Sequence, residues 1–157
     1  MESEYAEHTQ VSNLCSKLSF EEKEVIQLYQ TLSQKSPFQA PPGQLSIAFV
    51  SIDEISRLHG QFMDDPTPTD VITFPGDSDF NEAGEICVCP EVAYEYAKAN
   101  NGDFSRELTL YLAHGYLHLA GLDDIEDNDR EKMREAESIV MAIIIESRSI
   151  PNFKFPT

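Results

Sequence analysis

Positive charge is scarce in this chain. Lysine and arginine number 11 against 28 aspartates and glutamates, a net charge of −17 over 157 residues. A protein that grips nucleic acid by its phosphates ordinarily shows the opposite balance, because acidic side chains repel the backbone. Composition alone therefore speaks against binding of naked RNA, unless the few bases cluster or a basic partner supplies the contacts. Most of the acids read as a solubilising surface. Long apolar runs are also missing, and none approaches the roughly 20 residues needed to cross a bilayer. Residues 1–10 are acidic and polar, without the basic start and apolar stretch of a signal peptide. These absences predict a cytoplasmic protein with no membrane association. Cysteine is sparse too. Three residues, Cys15, Cys87 and Cys89, make a poor disulfide framework. Cys87 and Cys89, two apart in an apolar segment, point to one face of a strand. They read as core-filling side chains rather than a metal or redox pair. There is no internal repeat and no low-complexity segment.

What is present fits one domain over residues 1–157, with 1–12 loosely held. Hydrophobic residues make up 41%, enough for one core. Ser19-Phe20-Glu21-Glu22 has the form of a capping box, and Val25, Leu28, Tyr29 and Leu32 then recur at helical spacing to about Gln34. Pro37 and Pro41-Pro42-Gly43 break that helix. Leu45 to Ser51 is β-like, and Ile52 to Phe62 suggests a helix. Val71 to Phe74 and Glu85 to Cys89 are strand-like, separated by a polar loop over Ser78 to Ala83. Pro90 suits the first turn of a helix to Ala99. Ser105 to Ala120 is a fourth helix, with Gly121 as its stop. A fifth runs from Asp129 to about Ser147, with Met133, Ala136, Ile139, Val140 and Ile143 as its apolar stripe. The pattern predicts an α+β layered domain with about five helices.

The informative stretch is His114-Gly115-Tyr116-Leu117-His118-Leu119-Ala120-Gly121-Leu122-Asp123-Asp124. Histidines at i and i+4 project from one helix face, one turn apart. Gly121 lets the chain turn back sharply, so that Asp124 can close the same side. The pattern H-x3-H-x2-G-x2-D has the spacing of the metzincin signature, whose third ligand is His. Zinc accepts a carboxylate as well as imidazole, and three protein ligands leave a position for water. The competing reading is that such a histidine pair is an ordinary surface or core feature; the glycine and the following acid favour the metal. Glu107 lies on the same stripe, where it either orients a ligand or serves as a first-turn acid favoured by the helix dipole. Proteases of the HExxH type carry a glutamate base directly after the first histidine. Here that residue is Gly115, so a peptide-hydrolase reading lacks its base.

At this point the chain resembles the YbeY family. The family motif H-G-x-L-H-L-x-G-x-D-H is matched over residues 114–124 at every fixed position but the last. Pro68-Thr69-Asp70-Val71-Ile72-Thr73-Phe74-Pro75 is similar to its P-T-D-V-L-S-F-P block. Gly84-Glu85-Ile86 is similar to its G-D-I strand, and Arg106-Glu107-Leu108 to the lead-in of the motif helix. The resemblance implies a mixed sheet of about four strands and one zinc-type ion per chain on His114, His118 and Asp124. It implies single-strand endoribonuclease activity in maturation of the small-subunit (16S) ribosomal RNA 3′ end and in late ribosome quality control. The implied partners are single-stranded or ribosomal RNA and the small ribosomal subunit or one of its proteins, with no DNA. Two positions depart from the family: Asp124 replaces its third histidine, and Met63 stands where an arginine usually precedes the P-T-D block. A thioether cannot replace a guanidinium on phosphate. An alternative is therefore an acidic assembly factor that binds a basic ribosomal protein with weak or no catalysis. The bases nearest the motifs are Arg57, Lys98 and Arg106. Thr69 and Asp70 either line the groove or form the turn before the strand.

Overall fold

The computed structural model describes residues 8–156. Four strands form one mixed sheet: β1 (Thr9–Asn13), β2 (Gln44–Phe49), β3 (Val71–Pro75) and β4 (Glu82–Val88), in the order β1-β2-β4-β3. The first three of that order are mutually parallel, and β3 runs antiparallel along β4. Five helices accompany them: α1 (Glu22–Lys35), α2 (Ile52–Met63), α3 (Pro90–Ala99), α4 (Phe104–Leu119) and α5 (Asp127–Glu146). Among the described residues no helix is long and apolar enough to cross a membrane.

Burial follows strand alternation. Leu45, Ile47 and Phe49 of β2 and Ile86 and Val88 of β4 point into the main core, which α1, α4 and α5 complete. Cys87 and Cys89 face the other side and pack with Val50, Ile55 and Ile72 beneath α2. Both thiols are free, and burial pushes them up to about 12 and about 11. Thiols so hard to ionise are poor ligands and nucleophiles, in keeping with core filling.

Some elements differ from the expectation. Residues 9–12, expected to be loosely held, belong to β1, because their backbone pairs with β2 in the register Val11↔Ile47; residues 1–7 lie outside the described chain. Ser19 does not cap α1. Its backbone exchanges two hydrogen bonds of 3.0 Å with Lys154, and Glu21 holds the cap position. The polar loop shrinks to a single 3-10 turn at Ser78–Phe80, since Glu82 already pairs with Gln44. The inward face of α5 carries Met133, Ala136, Glu137, Val140, Met141 and Ile144, while Ile139 is exposed.

The C-terminal segment fastens the start of α4. The Ser105 hydroxyl accepts from Phe153 N at 2.9 Å and reaches its carbonyl at 3.2 Å. Phe153 also packs against Phe20, Phe49 and Phe104.

Helix α4 is the central element, apolar nearly all round, with Leu108, Leu112, Ala113 and Leu117 fully buried. It sits close to β3 and β4 because Gly115 has no side chain. A methyl group there would lie 2.7 Å from Ile86 Cγ2 and 3.3 Å from Thr73 Cγ2. Ile86 is fully buried and has no room to yield. Gly115→Ala is therefore expected to cost about 1–3 kcal/mol through overpacking. Urea unfolding should show a lower midpoint at unchanged slope; an unchanged midpoint would refute the close-seat account.

Candidate metal centre

The last turn of α4 builds the site. Gly121 adopts a left-handed φ of 104°. Its N–H bonds to the His118 carbonyl at 3.0 Å, and Leu122 N–H to the Leu117 carbonyl at 3.0 Å, the paired bonds of a Schellman end. The chain is thereby folded back over the helix. The Leu122 carbonyl lies 2.9 Å from His118 Nδ1, and Asp124 reaches both histidines.

A carbonyl can only accept, so His118 Nδ1 carries a proton, which leaves Nε2 as the nitrogen able to ligate a metal. His114 Nδ1 lies 2.6 Å from Glu137 Oε2 of α5, which fixes the same tautomer. Both Nε2 atoms face Asp124 Oδ2, at 3.4 Å from His114 and 3.5 Å from His118. These separations are long for hydrogen bonds. They match the edges of a tetrahedron around an ion with ligand distances of about 2.0–2.2 Å, whose edges are about 3.3–3.6 Å. All three donor atoms lie within 4.8 Å of one another. The donor set and its outer hydrogen bonds therefore fit one divalent ion. Asp123 is not part of this cluster, and its Oδ1 accepts from Asp124 N at 2.8 Å.

His114 and Asp124 line a cavity of about 560 Å³, together with Thr69, Asp70, Glu107, Tyr111, Arg134 and Glu137. Of the two roles expected, Thr69 shows the first and Asp70 both. They line the cavity, and Asp70 Oδ1 accepts from Val71 N at 2.8 Å to start β3. Glu107 does not orient a histidine; it takes a hydrogen bond from Tyr111, and burial raises its pKa. The orienting carboxylate is Glu137, which sequence reasoning missed. Its signal was an acid on the apolar face of α5, between Ala136 and Val140. Met63 is exposed and does not line the cavity.

Burial opposes charge on His114. The Glu137 hydrogen bond and charge, with Asp70 and Asp124 behind, outweigh it and raise the pKa above 6.5. In metal-free protein the stabilisation from this charge is full below the unfolded value of about 6.5 and is lost as pH rises through the folded value. Glu137→Gln leaves burial with less opposition, so the His114 pKa is expected to fall. An NMR titration of metal-free wild type and variant checks this; equal pKa values would remove Glu137 from its assigned role.

Fold and cluster together define a class: an α+β domain that presents an H-x3-H helix, a glycine stop and a trailing acid at the mouth of a cavity. Comparison with known proteins is specific. A family model described as Endoribonuclease YbeY matches residues 9–144, and the chain belongs to that family. The Endoribonuclease YbeY of Protochlamydia amoebophila is 49% identical over 98 residues, covering 60% of this chain and 65% of the relative, just under two thirds of its length. That of Carboxydothermus hydrogenoformans is 31% identical over 138 residues, covering 87% and 96%. A Thermotoga maritima protein solved in solution shares the fold with a TM-score of 0.63 at 32% identity, covering 90% of this chain and 92% of that one.

Proposed function

We propose that this chain is a metal-dependent endoribonuclease specific for single strands. It acts in the cytoplasm on the 3′ end of small-subunit (16S) ribosomal RNA and in late ribosome quality control. The observation that carries the chemistry is the convergence of His114 Nε2, His118 Nε2 and Asp124 Oδ2, with both Nδ1 atoms already engaged. Family membership supports the substrate class, since the relatives carry the name endoribonuclease. The ligands are His114, His118 and Asp124, and the ion is zinc. When bound, it would supply Lewis acidity at a phosphoryl oxygen and make a water molecule more acidic.

The chain's own groups do the rest. Glu137 and the Leu122 carbonyl hold the two imidazoles in the required tautomer. Asp124 brings a negative charge where a histidine would bring none, which makes the centre less electropositive. Glu107, with its raised pKa, is the cavity carboxyl suited to carry a proton. Asp70, Glu107, Asp124 and Glu137 together repel a phosphate until a cation offsets them. That crowding of carboxylates also favours a second reading, an acidic assembly factor docked on a basic ribosomal protein of the small subunit.

Purified protein, freed of contaminating nuclease, separates the two on a single-stranded RNA substrate. Internal cleavage is expected with about one zinc per chain, lost on chelation and restored by zinc. RNA left intact by zinc-loaded protein would instead support the assembly factor. His118→Ala and Asp124→Ala should each lose metal, Asp123→Ala should retain it, and Asp124→His should retain it. Elemental analysis checks the set, and full occupancy in Asp124→Ala would move the third ligand elsewhere.

Glu107→Gln is expected to lower kcat by roughly 10²-fold or more, the usual worth of a positioned proton carrier, with metal content unchanged. A wild-type kcat would clear Glu107 of that role.

A further inference from the structure

The cavity at the histidines does not end there. A second hollow of about 570 Å³ lies between α4 and α5, lined by Gly102, Asp103, Arg106, Ser138, Met141 and Ile145 among others. Glu107, Leu110, Arg134 and Glu137 line both. The two hollows thus adjoin across these four residues, and together they follow the α4–α5 seam from His114 and Asp124 to the start of α4. Their charges are ordered. Among the described residues, Arg134 is the one basic side chain lining the histidine end, and Arg106 joins it further along.

Both arginines are free to act. Arg134 is 78% exposed, and only its Nη1 approaches Glu137 Oε1, at 3.5 Å, so most of its five donors remain. Arg106 is exposed and has no ion-pair partner among the described residues. The other expected bases are poorly placed. Arg57 is spent on Glu54, through bonds of 3.1 and 2.6 Å, and on Gln61 at 3.0 Å. Neither Arg57 nor Lys98 lines either part of the groove. Five carboxylates, Asp70, Asp103, Glu107, Asp124 and Glu137, line the same stretch, so in a molecule of charge −17 a polyanion reaching His114 must be held by the two arginines themselves. We infer that the α4–α5 groove is the track of the substrate strand, with Arg134 and Arg106 binding successive backbone phosphates leading from the cleavage centre. Arg134 thereby supplies, from α5, the guanidinium missing at Met63. This rests on the nuclease reading and adds the path of the RNA to it.

The test uses zinc-loaded full chain and Arg134→Gln, Arg106→Gln, the double variant and, as control, Arg57→Gln. Binding of a fluorescent single-stranded 2′-O-methyl RNA, which lacks the free ribose hydroxyl, is measured at several salt concentrations. Cleavage of the unmodified strand gives kcat and KM, and zinc affinity is measured separately. The salt slope should drop by about 0.7 for each arginine lost. KM should rise several-fold with kcat little changed, whatever the base sequence, and Arg57→Gln should match wild type. Loss of zinc affinity in Arg134→Gln, with an unchanged slope in Arg106→Gln, would make Arg134 a support of Glu137 and overturn the track. Wild-type KM and slope in the double variant would also overturn it, while leaving the nuclease reading intact. Absence of cleavage by wild type would end the nuclease reading, and the slopes would still decide whether the arginines hold phosphates.

Discussion

Helix α4 meets the sheet with no side chain between them at Gly115, and that close seat sets the position of everything functional. The sheet beneath is Ile86 and Thr73, and a single methyl group would collide with the first. Pressed to this depth, the helix turns Leu112 and Leu117 into the core and leaves His114 and His118 on the opposite side, partly exposed. The residue that HExxH proteases use as a base is thus excluded here by packing. Gly115 is committed to the fold, and a glutamate there would point into Ile86 rather than at a substrate.

The electrostatic design follows from that seat. Four carboxylates surround the cavity, from the β3 start, α4, the turn after α4, and α5. Such a gathering is costly unless cations or protons balance it. The structure already shows partial balance: His114 is biased towards its charged form, and the Glu107 pKa is raised. Glu137 divides its two oxygens between His114 and Arg134, so a single side chain couples the histidines to the groove beyond them. Strong hydrogen bonding at short range, rather than net charge, is what fixes the imidazoles.

The histidine pair, the glycine stop and Asp124 were legible in the sequence because all of them are local. A helical period of 3.6 places His114 above His118, and a left-handed glycine determines where Asp124 goes. Helix α3 was likewise marked at both ends, by Pro90 and by the polar run after Ala99. Glu137 was not legible, since it reaches His114 across 23 residues and only after α5 has docked. Strand β1, Thr-Gln-Val-Ser-Asn, has one apolar residue and no turn signal. Its identity comes from parallel pairing with β2, a contact between distant segments. The capping box at Ser19 failed for the same kind of reason. A tertiary bridge to Lys154 claimed the backbone that a helix cap would have used.

The clasp between Ser105 and Phe153 sets an order of events during synthesis. The histidine-bearing helix is translated well before the segment that secures its first turn, which lies 48 residues later. Until Phe153 arrives, Phe20, Phe49 and Phe104 lack the ring that packs against all three. A nascent chain therefore lacks the hydrogen bonds and the ring that secure the first turn of α4 until the distal segment folds back. Domains fold as units, and here the unit closes late. A growing chain therefore passes through a stage in which the histidines exist without a fully anchored platform.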